Sequence, residues 1–493
     1  MTDLEKKIQG MSAAKQAMLR KMLKGKAVKL DEQQAVQTMI AEPEQRYTPY
    51  APRSFQLAQL KAAAKAGTGH WFFMETQRDA LDIERFVETI NQLVAHHTIL
   101  HSIQVDDGQS TQLQTRTAVD WQAHVVDLRG VDESSKVLRL AQIRAQFEAP
   151  RAGENTQPFM VTICQLDNNQ WQLFVGADLM LLDLVSVEFL ALQWRQLYEG
   201  RKSLGEIGAL TFRDYCQTER AFQKSSREWQ NSRTYWTEKL ADLPPVLTGD
   251  DLSSTQPVST AGAEYRVDII DKSLWMAIKA FASDNKLTGS MVIYSLFTLA
   301  LAGTARLADF TLEMRLFNRI SFDAKVNDIL GQYSSGTFSK VEIDGLAQFV
   351  DYCRQLESQT WADLDNGFYD VVSEQALTEQ VKDNRIVFTS TISRYSEFVE
   401  EGVVPPMKWF GAMHNGVAHV PGQALELLIV ENANLLELHW FIDHNKASGG
   451  VEQVITQTAS LIKSVAQAPE RFFACANAQL VDLSFCDCAV EEA

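Results

Sequence analysis

The stretch Asp178-Leu179-Met180-Leu181-Leu182-Asp183-Leu184-Val185-Ser186 sets two carboxylates inside an apolar run. From Leu173 to Leu192 the chain is apolar enough to resemble a membrane span, yet Asp178, Asp183 and Glu188 would each cost roughly 2.5 kcal/mol or more at a bilayer centre. The segment reads instead as the buried edge of a site in a globular protein. Trp171, Leu173 and Val175 alternate as in a strand, and Val187, Leu190, Trp194 and Leu197 follow at helical spacing. Asp178 therefore ends a strand, Asp183 stands just before a helix, and Ser186 is the N-cap candidate. A carboxylate there is favoured by the helix dipole. Two readings of the pair stand at this point: it caps and braces a strand-to-helix turn, or it belongs to an active site.

Composition bounds the rest. With 493 residues, 45% hydrophobic and 22% charged, the chain is an ordinary globular sequence with room for two or three domains. A net charge of -17, with no Lys/Arg stripe interleaved with aromatics, argues against nucleic acid as a partner. The six cysteines (164, 216, 353, 475, 486 and 488) have no CxxC spacing and are too sparse for a disulfide scaffold, which fits a reducing, cytoplasmic location. Cys486-Asp487-Cys488 has no His or second Cys pair at ligand spacing and reads as a polar tail rather than a metal site. The N-terminus shows no continuous apolar stretch with a small-residue cleavage site, so no signal peptide is expected.

Four segments follow along the chain. Residues 1–44 are a basic helical or linker segment in which Met18, Leu19, Met22 and Leu23 form a short amphipathic face, either docking another subunit or solvated. Residues 45–245 form a first lobe carrying the two aspartates, 246–475 a second lobe, and 476–493 a tail. Residues 82–100 read as a helix, with Ile83, Phe86, Val87, Ile90 and Leu93 on one face. Asp167-Asn168-Asn169-Gln170 reads as a hairpin turn between two strands, and the Pro- and Ser-containing stretch 243–262 as the clearest linker. Beyond it come a strand from Tyr265 to Ile270, a helix opened by Ser273, an apolar helix from Met291 to Leu301, and strands at Phe310–Leu316 and Arg385–Thr389. This mixed order predicts two α+β lobes.

The segment 178–186 resembles the DxxxxD signature, with trailing Ser, of the heterocyclization domains of nonribosomal peptide synthetases, a branch of the condensation-domain superfamily. Further blocks match in order. Leu81-Asp82 through Asp106-Asp107-Gly108 is similar to the opening LD…RHxMLR…DG block, and Asp127-Leu128-Arg129 to DLR. Phe212-Arg213-Asp214-Tyr215, Tyr235-Trp236 and Leu243-Pro244 follow, then Leu316-Phe317-Asn318-Arg319 and Val387-Phe388-Thr389-Ser390. The colinear resemblance covers roughly residues 45 to 450. It departs from the pattern late: GDFT appears as Gly331-Gln332-Tyr333-Ser334, and the best fit to TPQxxLD is Val420-Pro421-Gly422-Gln423-Ala424-Leu425-Glu426, with Glu for the closing Asp.

The resemblance implies an α+β fold of two chloramphenicol-acetyltransferase-like lobes in a V-shaped pseudodimer, with a tunnel between them. It implies acyl transfer from one carrier-bound thioester to the amine of carrier-bound Cys, Ser or Thr, then cyclodehydration to a thiazoline or oxazoline, in siderophore assembly. The implied site is Asp178, Asp183, Asn318, Thr389, Ser390 and Glu426. Carboxylates and hydroxyls can move the protons, and the Asn318 amide can face an oxyanion. No directly bound cofactor is implied: substrates come on the phosphopantetheine of upstream and downstream carrier proteins of partner synthetase subunits. Two alternatives remain, a condensation-only acyltransferase with ring closure delegated to a partner, and a non-catalytic carrier-docking module. His96-His97 lacks the DG that follows condensation histidines and reads as structural, at a helix end.

Overall fold

A computed structural model describes residues 38–472, apart from 107–109, 118–120, 150–156, 206–207, 253–261, 344–346, 379–382, 393–406, 433 and 448. The amphipathic segment near residue 20 and the Cys486-Asp487-Cys488 tail lie outside the described residues.

The strands are β1 (Trp71–Asp79), β2 (Ser102–Asp106), β3 (Thr111–Thr115), β4 (His124–Asp127), β5 (Phe159–Gln165), β6 (Gln170–Asp178) and β7 (Ala263–Ile270). They continue with β8 (Asp309–Phe317), β9 (Ser334–Glu342), β10 (Arg385–Ser390), β11 (Ala412–His419), β12 (Gln423–Asn432) and β13 (Leu435–Asp443). One sheet has the order β11-β1-β6-β5-β4, a second β7-β13-β12-β10-β8-β9, and β2 and β3 form a two-stranded sheet. The turn expected at 167–170 joins antiparallel β5 and β6, with Asn168 in the left-handed region at φ 56°.

Period-two alternation decides what each sheet face does. In the first sheet Trp71, Phe73 and Phe174 pack with Phe147 of helix Glu133–Glu148. The other face carries the core of helices Ile83–His96 and Leu184–Tyr198, where Phe86 and Trp194 stack at 4.4 Å. In the second sheet Leu425, Leu427, Ile429, Leu438 and Trp440 pack against helices Lys272–Asp284, Gly289–Ala305 and Val451–Gln467. Its opposite face, with Glu426, Leu428, Val430, His439 and Phe441, is left to line a cavity.

Two segments of the second half reach into the first lobe. Strand β11 pairs antiparallel with β1, so residues 412–419 belong to the first sheet. The connection from β8 to β9 places Phe322, Val326, Leu330 and Tyr333 in the first core, beside Phe212 and Tyr215. Gly331 is required there, since a Cβ would lie 2.1 Å from the Phe212 ring.

Three local expectations need correction. The helix predicted over 82–100 ends at His96, because His97 is extended (φ -94°, ψ 99°), and 98–101 form a 3-10 turn. The stretch 243–262 is no free linker up to residue 252: Leu247 and Leu252 are buried, and Val246 bridges to Thr311 of β8. The helix expected to open at Ser273 is capped instead by Asp271, whose side chain accepts from the Leu274 N–H. Among the described residues no single helix is long and apolar enough to cross a membrane.

Candidate active site

Asp183, not Ser186, caps the helix that follows β6. Its Oδ1 accepts from the Ser186 N–H at 2.7 Å, its Oδ2 from the Tyr333 N–H at 3.2 Å, and Arg319 approaches Oδ1 at 3.4 Å. The Asp183 and Arg319 side chains are 0% and 5% exposed, so the pair is a buried, multiply bonded ion pair. Ser186, the third helical residue, ties the same loop: its hydroxyl donates to the Gly331 carbonyl at 2.7 Å and accepts from Arg319 at 2.7 Å. The Arg319 guanidinium also lies 4.2 Å from the Tyr333 ring centroid. The bonds of Asp183 and Ser186 to Arg319, Gly331 and Tyr333 join the β6–helix turn to the β8–β9 connection. Asp183 borders the cavity while its oxygens serve this joint.

The other candidates divide sharply. The Asp178 carboxylate accepts from the Met180 N–H at 2.8 Å, an Asx-type brace of the turn, and does not line the cavity. The Asn318 amide donates to the Gly367 carbonyl at 2.7 Å and is also outside the lining. Ser390 faces away from the cavity, with its hydroxyl 2.8 Å from that of Ser290. Thr389, one position earlier on β10, faces the cavity. Strand alternation allows only one of two consecutive residues to do so. Thr389→Val is therefore expected to slow turnover at least tenfold and Ser390→Ala by less than twofold, as measured with loaded carriers.

Thr389 meets Glu426. Its hydroxyl donates to Oε1 at 2.5 Å, while Oε2 accepts from Arg315 at 2.9 Å and from Gln423 at 2.7 Å. Arg315 in turn contacts Glu313 at 3.4 Å, and Glu313 takes Arg385 at 2.6 Å. Burial depresses the Arg315 pKa, but the charges of Glu426 and Glu313 outweigh this and hold it above its ordinary value. Against burial, Arg385 and Arg315 likewise hold Glu313 below the usual carboxylate range. Three adjacent strands, β8, β10 and β12, thus fix one carboxylate and one hydroxyl at the cavity wall. The cavity measures about 810 Å³. It runs between the two sheets, with Phe72 and Met74 of β1 facing Leu428 and Val430 of β12.

Arg315 and Gln423 were not among the residues singled out from the sequence. The signal was present for one of them: Glu313 and Arg315 alternate inside an apolar strand, so both charges share one face and must be paired there. Gln332, where the family pattern has Asp, is a brace: its amide donates to the Leu179 carbonyl at 2.5 Å and accepts from the Ser334 N–H at 2.9 Å. His97 is buried against Gln193 at 2.7 Å, and burial lowers its pKa to about 4. Outside the cavity Glu264, His444 and Glu452 converge, but His444 already pairs Glu264 at 2.7 Å and Arg266 pairs Glu452 at 3.2 Å, so no cation is called for.

The Condensation domain family model matches residues 52–397. Pyochelin synthetase PchF of Pseudomonas aeruginosa (strain UCBPP-PA14) is 23% identical over 403 residues, covering 79% of this chain and 21% of that protein. Phenyloxazoline synthase MbtB of Mycobacterium tuberculosis (strain ATCC 25618 / H37Rv) is 24% identical over 330 residues, covering 62% and 22%. The chain thus spans about a fifth of the length of these relatives. Among solved structures, the EpoB NRPS cyclization-docking bidomain from Sorangium cellulosum superposes with a TM-score of 0.77 at 21% identity, covering 92% of each chain. The α+β fold of two chloramphenicol-acetyltransferase-like lobes is shared with such structures. With more than half its length matched by one family model and its fold in agreement, the chain belongs to the condensation-domain family.

Proposed function

We propose that this chain is a heterocyclization domain of a nonribosomal peptide synthetase. It joins a carrier-bound acyl thioester to carrier-bound Cys, Ser or Thr and closes a thiazoline or oxazoline ring, in siderophore assembly. The observation that carries the reading is the Thr389–Glu426 pair, presented to an interlobe cavity by Arg315 and Gln423. In the first step the acceptor amine attacks the thioester carbon, the C–N bond forms, and the C–S bond breaks to release a thiol. In the second the acceptor's side-chain thiol or hydroxyl adds to the new amide carbonyl, and the carbonyl oxygen leaves as water while the nitrogen loses its proton. Glu426 takes that proton and Thr389, bonded to it, hands one to the departing hydroxyl. The relatives' names, pyochelin synthetase and phenyloxazoline synthase, and the cyclization-docking structure support ring formation over other condensation chemistry.

A condensation-only enzyme is the second reading, favoured by one feature: Gln332 stands where the family pattern carries an acid. The open cavity favours either enzyme over a docking module. Intact-mass analysis of loaded carriers tests the three together. Transfer of the acyl group followed by loss of one water is expected; transfer without that loss leaves condensation alone, and unchanged masses would overturn both enzymatic readings.

A further inference from the structure

At the end of the cavity away from Thr389, a carboxyl group stands without a partner among the described residues. Glu188 lies one turn beyond Leu184 on the helix that Asp183 caps, and Leu184 packs on Leu428, Val430 and Phe441. Among the described residues, nothing hydrogen-bonds or ion-pairs the Glu188 carboxyl, and it lines the cavity. Its neighbours are already matched to one another. Glu437, opposite Val430 on β13, takes Lys408, His439 (3.2 Å) and the Asn432 amide (3.3 Å). The other ring nitrogen of His439 meets the Tyr265 hydroxyl at 2.6 Å. Lys408 and the His439 ring thus both serve Glu437, and among the described residues no cation is paired with Glu188. Helix Ile83–His96, packed on the other side, sends its charged contacts elsewhere: Arg85 lies over Tyr198, while His97, just past its end, bonds Gln193.

We propose that Glu188 is a specificity subsite for a positively charged amine at the far end of the substrate's acyl chain. The proposal rests on the reading of the cavity as the carrier-bound acyl site. From Glu426 to Val430 is four residues of strand, about 13 Å at ~3.3 Å per residue, so the two ends cannot act on one bond. Between them the wall is Leu428, Val430, Phe441 and Leu184, which suits a methylene chain. Burial first, and then the Glu437 charge, push the Glu188 pKa well above the ordinary carboxylate range. The Glu188 carboxyl therefore keeps its proton to higher pH than an ordinary carboxylate, and where it is protonated an arriving ammonium ionises it, with one proton leaving to solvent. Affinity for the amine should therefore rise with pH through the Glu188 value and fall only when the amine itself deprotonates.

The sign for stability follows the same way. Glu188 binds its proton more tightly folded than unfolded, so wild type loses stability as pH rises from the unfolded carboxylate range through the folded value. Glu188→Gln removes this loss. Its melting temperature should exceed that of wild type by a margin that opens with pH.

The test uses two non-hydrolysable pantetheine thioethers of equal length, one ending in an amine and one in a methyl group. Calorimetry in buffers of different ionisation enthalpy counts released protons, and infrared difference spectra follow the neutral carboxyl. Wild type should prefer the amine at least tenfold, release a proton, and lose the carboxyl band; Glu188→Gln should bind both within twofold and show neither signal. Equal binding of both probes by wild type would overturn the subsite and leave the acyl site standing. Binding of neither would overturn both.

Discussion

Asp183→Ala is expected to cost about 3–5 kcal/mol of stability, because it leaves a buried guanidinium without its carboxylate. Arg319 is only 5% exposed, and what remains to it is neutral: the Ser186 hydroxyl, loop carbonyls at 3.3–3.5 Å and the Tyr333 ring. The helix loses its cap as well, worth about 1 kcal/mol. The Tyr333 N–H is orphaned at the same time. These losses fall on the joint between the β6 turn and the β8–β9 connection, which carries Gln332 and Ser334 into the cavity wall. Activity should therefore fall with stability, and remain low even at temperatures where the variant is folded. Asp183→Asn separates the contributions: it can still cap the helix but cannot balance Arg319, so its cost should be intermediate. Chemical denaturation of the three proteins measures this. An Asp183→Ala variant as stable as wild type would show that the ion pair holds nothing together.

The aspartate pair illustrates how far the sequence could be read. Its place at a strand end and a helix start was legible, because alternation and helical spacing meet at those residues. Its role was not, because Arg319 and Tyr333 lie more than a hundred positions away and no local pattern announces them. Consecutive Thr389 and Ser390 were named together, though a strand can present only one of them to the cavity. The choice needed the burial of one sheet face, which depends on helices far along the chain. Strand β11 was invisible as part of the first lobe for the same reason: its hydrogen bonds to β1 span more than three hundred residues. Asn318 carries the family's residue type, but its amide is taken by Gly367, which only the fold brings near. Glu426 was found through the resemblance rather than through spacing, since one acid in an apolar strand reads equally as half of a buried ion pair. It is both: Arg315 pairs it, and the cavity reaches it.

Glu426→Gln is expected to separate the two chemical steps. The substitution keeps the shape of the side chain and most of its bonds, and Arg315 retains Glu313, so the fold and the cavity should survive. What disappears is a group that can take a proton from nitrogen as water leaves. General acid–base contributions are about 10²–10⁴-fold, so ring closure should slow by at least about a hundredfold while amide formation stays within a few-fold. Uncyclised amide should then accumulate on the acceptor carrier, seen as a mass one water heavier than the wild-type product. Glu426→Asp tests placement rather than charge. Thr389, Arg315 and Gln423 all converge on a carboxylate at the reach of glutamate. A side chain one methylene shorter withdraws it by roughly 1 Å, and misplacement of that order costs about a hundredfold. Aspartate should thus close the ring far more slowly than glutamate, even though it restores the residue of the family pattern. If Glu426→Gln forms the ring as fast as wild type, Glu426 is a structural partner of Arg315 and the proton passes elsewhere.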